Sequence, residues 1–119
     1  MSVFFDIENK LNLNKITRIN CLILQKSLQK FTDYKVEIKK PNDILINKKK
    51  VCGILQETTF KQNRKYLIVG IGINVSSSPR INNYSTTSLN KYSNKELNRI
   101  KLFKEIKLLY EKNIHLFGA

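Results

Sequence analysis

An α+β fold, a mixed β-sheet with helices packed on it, is what this sequence predicts, and three observations predict it. Tyr66 to Val75 is the most continuous apolar run in the chain, rich in β-branched residues, as in a central strand buried on both faces. Ile16, Ile19, Ile23, Leu24, Leu28 and Phe31 recur at helical spacing and form one apolar stripe. Tyr34, Val36 and Ile38 alternate with Lys35, Glu37 and Lys39, the pattern of a half-buried strand. A length of 119 residues fits a single domain, 1–119, with enough chain to bury a core.

In chain order, Ser2 to Ile7 is apolar and β-favouring, a strand that begins almost at the first residue. Asn12 or Asn14 can cap the following helix, which runs to about Phe31. Asp33 marks a turn, and Pro41, lacking an amide hydrogen, ends the next strand. Asp43 to Ile46 and Lys50 to Glu57 flank Asn47-Lys48-Lys49 and read as a hairpin that brings Asp43 and Lys50 to a common region. Thr58 to Arg64 reads as a polar connection. Ser76 to Asn94, rich in Ser, Asn and Thr, reads as a long loop. Ser93-Asn94-Lys95-Glu96 has the capping-box pattern, opening a helix with Leu97, Ile100, Phe103, Ile106, Leu109 and Tyr110 on its apolar side.

Composition narrows the function classes. The net charge is +13, but Ile, Asn and Lys make up 47 of 119 residues while Arg contributes four. That bias is what an AT-rich coding sequence would produce. Arg, the side chain best suited to bidentate phosphate and guanine contacts, is scarce, which weighs against nucleic acid as the partner. The same field attracts small anionic ligands or an acidic protein. No apolar run approaches a membrane span, and the first residues lack the basic start of a secretory leader. Cys21 and Cys52 lack metal or redox spacing and read as buried, reduced thiols of a cytoplasmic protein.

Familiar catalytic patterns are missing. Gly70-x-Gly72 has neither the third glycine nor the helix of a dinucleotide fingerprint, and no Walker lysine follows it. His115 stands alone near the C-terminus, so no triad can be assembled around it. Taken singly, Asp43 reads as an Asx turn, Lys50 as a solvated turn lysine and Asn74 as the cap of a strand.

Their combination reads differently. Lys39-Lys40-Pro41-Asn42-Asp43, then Lys50-Val51-Cys52-Gly53-Ile54-Leu55-Gln56-Glu57, then Gly70-Ile71-Gly72-Ile73-Asn74-Val75 resembles the catalytic domain of biotin–protein ligases in order and spacing. That family's pattern is K-W-P-N-D, K-[LVI]-x-G-I-L-x-E and G-x-G-I-N. Tyr84 to Leu89 is similar to the family's A-T-S-L segment, a weaker signal. Lipoate–protein ligases share the fold and an Asn-Asp/Lys pair, but the G-I-L-x-E run fits the biotin branch better.

The resemblance implies a class II synthetase-like fold and a two-step reaction: biotin and ATP give biotinyl-5′-AMP, then an acceptor lysine of the biotin carboxyl carrier protein of acetyl-CoA carboxylase takes the biotinyl group. It implies that Lys50 contacts the biotin carboxyl and the α-phosphate, and that Asp43 orients the acceptor lysine. It further implies that Asn74 serves the nucleotide and, through ATP, Mg²⁺, with Asn42 nearby. Gly53 and Ile54 would let the ligand lie on the strand, and Lys39 would add charge for the triphosphate. Two departures stand out: Lys40 replaces the family Trp, and the family's Gly/Arg-rich loop has no counterpart. The chain is therefore expected to be the C-terminal part of such a domain, as a truncated product, half of a split enzyme or an inactive remnant. No helix-turn-helix pattern precedes it, so repressor activity is not expected. The rival class is a small basic protein that binds nucleic acid or an acidic carrier.

Overall fold

Among the described residues, helices cover one face of the sheet and leave the other open, and that asymmetry decides where a site can form. The computed structural model describes residues 1–6, 13–76, 85–93 and 97–117. Its strands are β1 (Ser2–Asp6), β2 (Val36–Lys39), β3 (Asp43–Ile46), β4 (Lys49–Lys61) and β5 (Arg64–Ile73), with helices α1 (Leu13–Gln29) and α2 (Arg99–Asn113). The five strands form one sheet in the order β1-β5-β4-β3-β2, every neighbour antiparallel. Among the described residues the parallel component is a single bridge between Lys50 and Thr86.

The α1 stripe lies where helical spacing puts it, with Ile16, Ile23, Leu24 and Leu28 buried against β2, β3 and β4. Each such side chain contributes about 1.5–3 kcal/mol of apolar burial. The capping position before Leu13 lies outside the described residues, and Asn14 sits inside the helix rather than at its cap. At the other end, the Gln29 amide donates to the carbonyls of Thr32 and Tyr34 and accepts from the Val36 N–H, fastening α1 to the start of β2.

Three expectations are corrected. First, β5 is buried on one face only: Leu67, Val69 and Ile71 are inside, while Ile68 and Gly70 are half-buried and Gly72 is exposed. It reads as a continuous apolar run because its outward positions carry Tyr, Ile and glycines instead of charges. Second, Thr58 to Arg64 is no loop. The two strands continue to Lys61 and from Arg64, joined by Gln62 and Asn63 at φ 52° and 65°. Asn47 and Lys48, at φ 52° and 63°, close the β3–β4 hairpin in the same way. Two consecutive left-handed residues match the strand twist, but neither pair contains the glycine that usually announces such a turn. Third, α2 starts at Arg99, capped by the Asn98 side chain, which accepts from the Ile100 N–H at 2.8 Å. Ser93 instead bridges to Thr32, and residues 94–96 of the expected capping box lie outside the described residues. The buried stripe of α2 is Leu102, Ile106 and Tyr110, while Ile100 and Phe103 are exposed.

A polar chain runs through the core. The Tyr110 hydroxyl donates to Asn20 Oδ1 at 2.8 Å, Asn20 Nδ2 donates to Gln56 Oε1 at 2.6 Å, and Gln56 Nε2 donates to Thr17 Oγ1 at 2.8 Å. It joins α2, α1 and β4 where apolar packing alone would not fix register. Burial pushes the Tyr110 phenol well above its ordinary range, so it remains a donor at any physiological pH. Asn20→Leu removes the bonds that the Tyr110 hydroxyl and Gln56 Oε1 make to Asn20 and should destabilise the fold by about 2–4 kcal/mol. Urea unfolding checks this: an unchanged midpoint would mean the chain carries no such energy.

Candidate functional site

The site is made by one irregularity in β4. Asp43 pairs with Gly53 and Ile44 with Cys52, but Leu45 pairs with Lys50, so Val51 is an extra residue in the ladder. In a regular strand Lys50 and Gly53, three apart, would face opposite sides. The bulge puts both on the open face and turns the adjacent Val51 and Cys52 together into the core. Lys50 Nζ then lies 3.1 Å from Asp43 Oδ1, with both side chains about a quarter exposed, at 26% and 28%.

Lys50 is held by its backbone on the other edge as well. β5 leaves β4 where the Asn74 N–H donates to the Val51 carbonyl. Beyond that point the segment 85–87 takes its place, the Lys50 N–H donating to Ser85 and the Thr87 N–H donating to Lys50. The Asn74 Nδ2 donates to the Thr87 carbonyl at 3.2 Å, and the Leu89 N–H donates to the Asn74 carbonyl. The loop expected over 76–94 thus contains an ordered strap beside the lysine.

Cross-strand pairing lays Lys39, Asp43, Gly53 and Gly72 in one row over four strands. Next to it, Gly70 pairs with Leu55. A cavity of about 650 Å³ opens over this floor, walled by Asp43, Lys50, Asn42, Asn74, Leu55 and Thr86. Gly53 is the tight spot: a Cβ there would stand 3.2 Å from both Cε and Nζ of Lys50. A bare backbone is what lets the lysine lie flat across the floor.

Of the sequence-predicted site residues, Asp43, Lys50, Asn42, Gly53, Ile54 and Asn74 border this cavity together. Lys39 does not border it; it is exposed at the β2 end of the row. The Ile54 side chain is buried in the core, and both its backbone groups are engaged by Asn42, whose carbonyl accepts the Ile54 N–H and whose Nδ2 donates to the Ile54 carbonyl at 2.7 Å. Asn42 therefore ties the Asp43 turn to β4. Sequence reading did not count Thr86, Leu55, Gly70 and Gly72 as site residues. The paired glycines signalled a close backbone approach, and Thr86 lies within the Tyr84–Leu89 segment.

Among the described residues no group of three or more His, Cys, Asp or Glu side chains could hold a metal. A magnesium ion would come with a triphosphate and keep much of its water, meeting oxygen donors such as Asp43 and the Asn74 amide. Both cysteines are free and buried. Desolvation, then the neighbouring Cys21, push the Cys52 thiol up to about 12, with Lys50 opposing weakly. It is no nucleophile. His115 is exposed in the 3₁₀ turn Ile114–Phe117, away from the cavity lining. No helix among the described residues is long and apolar enough to cross a membrane.

One lysine poised over a glycine floor beside one carboxylate is what the sheet presents, and the chain belongs to the biotin/lipoate A/B protein ligase family, whose model matches residues 2–74. It is 38% identical over 66 residues to the bifunctional ligase/repressor BirA of Bacillus subtilis, a match spanning 55% of this chain and 20% of that protein. The biotin protein ligase of Aquifex aeolicus, solved with biotin and ATP, superimposes with a TM-score of 0.78 at 27% identity over 98% of this chain and 50% of its own. A lipoate protein ligase-like structure from T. acidophilum shares the fold, with a TM-score of 0.68 at 11% identity, over 96% of this chain and 50% of that one. The chain thus spans about half the length of the ligase structures it matches.

Gly53→Ala should leave the fold nearly as stable, because only the flexible end of Lys50 must yield, yet displace that end from Asp43. A double-mutant cycle should find about 0.5–1 kcal/mol of Asp43–Lys50 coupling in the parent and close to none in the variant. Thiol labelling gives a second check. At pH 9 the folded protein should react with Ellman's reagent far more slowly than the urea-unfolded chain. Unfolded thiols ionise near their ordinary value, whereas Cys52 ionises only near 12. Equal rates would contradict the burial.

Proposed function

We propose that this chain carries the adenylate-forming half-site of a biotin–protein ligase. The observation that supports it most is the Lys50 ammonium laid over bare strand backbone within 3.1 Å of Asp43. In this reading a biotin carboxylate oxygen attacks the α-phosphorus of ATP, the bond to the bridging oxygen breaks, and pyrophosphate leaves. Negative charge gathers on the non-bridging oxygens, where a point cation held by backbone on both edges stabilises it without reorganising. The glycine floor lets the acyl phosphate lie within reach of Lys50. Asn74, its amide nitrogen committed to Thr87, would use its oxygen to hold the hydrated Mg²⁺ of the nucleotide.

Transfer follows when the amine of an acceptor lysine, on a biotin carboxyl carrier protein, attacks the biotinyl carbonyl and AMP departs. In the free site Asp43 is paired with Lys50. Once the ligand's own negative charge engages Lys50, the carboxylate is released to receive the incoming ammonium, orient it and take up its proton. Lys39, at the exposed end of the row, adds positive field for the triphosphate.

Biotin-dependent pyrophosphate release from ATP by the 119-residue chain tests this reading. Lys50→Ala should lower release by about 10²- to 10³-fold. Asp43→Asn should spare release and slow transfer to the acceptor lysine by about 10²-fold. Release that depends on lipoate and ignores biotin would move the chain to the other branch of the family. No release with either acid would overturn the proposal.

A further inference from the structure

A second cavity of about 650 Å³ lies on the helix side of the Lys40–Pro41–Asn42 turn, opposite the face that holds Lys50. The early turns of α1 supply Lys15, Arg18 and Leu22, and the far wall is Ile38, Lys40 and Pro41. Arg18 and Lys40 are exposed, and no carboxylate occurs among the described lining residues. Its lining is therefore part cationic and part apolar, with Leu22, Ile38 and Pro41 presenting carbon and the Cys21 thiol set against the Pro41 carbonyl. The catalytic mechanism leaves this groove without a task.

Its place gives it one. Pro41 lines the groove while the residues that follow it, Asn42 and Asp43, line the cavity of Lys50, so Asp43 is two residues of chain, at most about 7 Å, from the groove wall. A polypeptide that presents a lysine to Asp43 can cross the turn and lie in the groove with the residues about three to five positions away. We infer that this groove receives an acidic stretch flanking the acceptor lysine, so that Arg18 and Lys40 select the acceptor protein by charge while Leu22, Ile38 and Pro41 accept its apolar side chains. This rests on the ligase reading for the lysine, but not for the binding. Attraction at an exposed rim acts mainly on encounter rate and specificity and is sensitive to salt.

The test uses a fluorescein-labelled synthetic peptide with one lysine and a run of glutamates placed three to five residues from it, and a twin with glutamines instead. Anisotropy should show the acidic peptide binding the chain and the twin binding at least about tenfold more weakly. Arg18→Glu combined with Lys40→Glu should cost about tenfold toward the acidic peptide, while the charge-matched pair Lys101→Glu with Lys104→Glu, on the exposed side of α2, should cost less than about twofold. Circular dichroism verifies that the variants stay folded. An equal loss with Lys101→Glu and Lys104→Glu together would assign the attraction to the diffuse field of the protein and overturn the groove. So would equal binding of the two peptides, or an oligothymidylate that outcompetes the acidic peptide. Peptide binding requires no adenylation, so an unmutated chain that binds the acidic peptide but releases no pyrophosphate would remove the ligase reading and leave the groove standing.

Discussion

One extra residue in β4 determines the site. Were Val51 paired in a regular ladder, Lys50 and Gly53 would face opposite sides of the sheet, and the Lys50 ammonium would be turned away from Asp43. The same insertion drives Val51 and Cys52 together into the core, where both are essentially inaccessible. A bulge sacrifices ladder regularity and gains a local change of direction. Here the apolar burial of two successive side chains offsets that loss. The register that builds the cavity is therefore enforced from the core side, and slippage by one residue would expose Val51 or bury Lys50.

The lysine's mobility is confined to its side chain. Its N–H and C=O are bonded to Ser85 and Thr87, the neighbouring Val51 carbonyl accepts from Asn74, and Leu89 and Asn90 bond back to Asn74 and Val75. The strap thus extends the sheet past the end of β5, and a flexible ammonium swings from a rigid base. Such a division suits a group that must exchange an internal carboxylate for a ligand's anion. Fixing the base limits what is lost in entropy when the ligand binds, and the flexible stem lets the charge follow the developing negative centre.

Much of this was legible in the residues. Helical spacing located the α1 stripe, alternation located β2, and the Asp43/Lys50 hairpin, with Asn74 at the end of β5, placed the polar groups of the cavity. What escaped did so for physical reasons. Glycines at 70 and 72 carry no polarity, so a one-sided strand looked buried on both faces. The Gln62-Asn63 turn adopts left-handed backbone without glycine, so a long hairpin looked like a loop. The α2 stripe is set by docking on α1, which selects Leu102, Ile106 and Tyr110 over the equally apolar Ile100 and Phe103. A bulge leaves no compositional mark. It shows only as two adjacent buried residues where alternation demands one.

The polar chain from Tyr110 through Asn20 and Gln56 to Thr17 lies on the opposite side of β4 from the cavity. Gln56 follows Leu55 of the cavity wall, so the two sides of one strand segment are held by different forces. On the open side, the contacts are exposed, charged and replaceable by ligand. On the helix side, they are partly to fully buried hydrogen bonds, costliest to leave unmade between Tyr110 and Asn20. Apolar packing alone would let α1 slide along the sheet by small steps at little cost, whereas this chain permits one register between α1, α2 and β4. Cys21 and the Lys40–Pro41–Asn42 turn follow that register, because α1 carries the thiol that abuts the Pro41 carbonyl. The position of Asp43 is in this way referred back, through the turn and the helix, to a buried hydroxyl on α2. A ligand that pulls on Asp43 works against the core rather than against a loose hairpin.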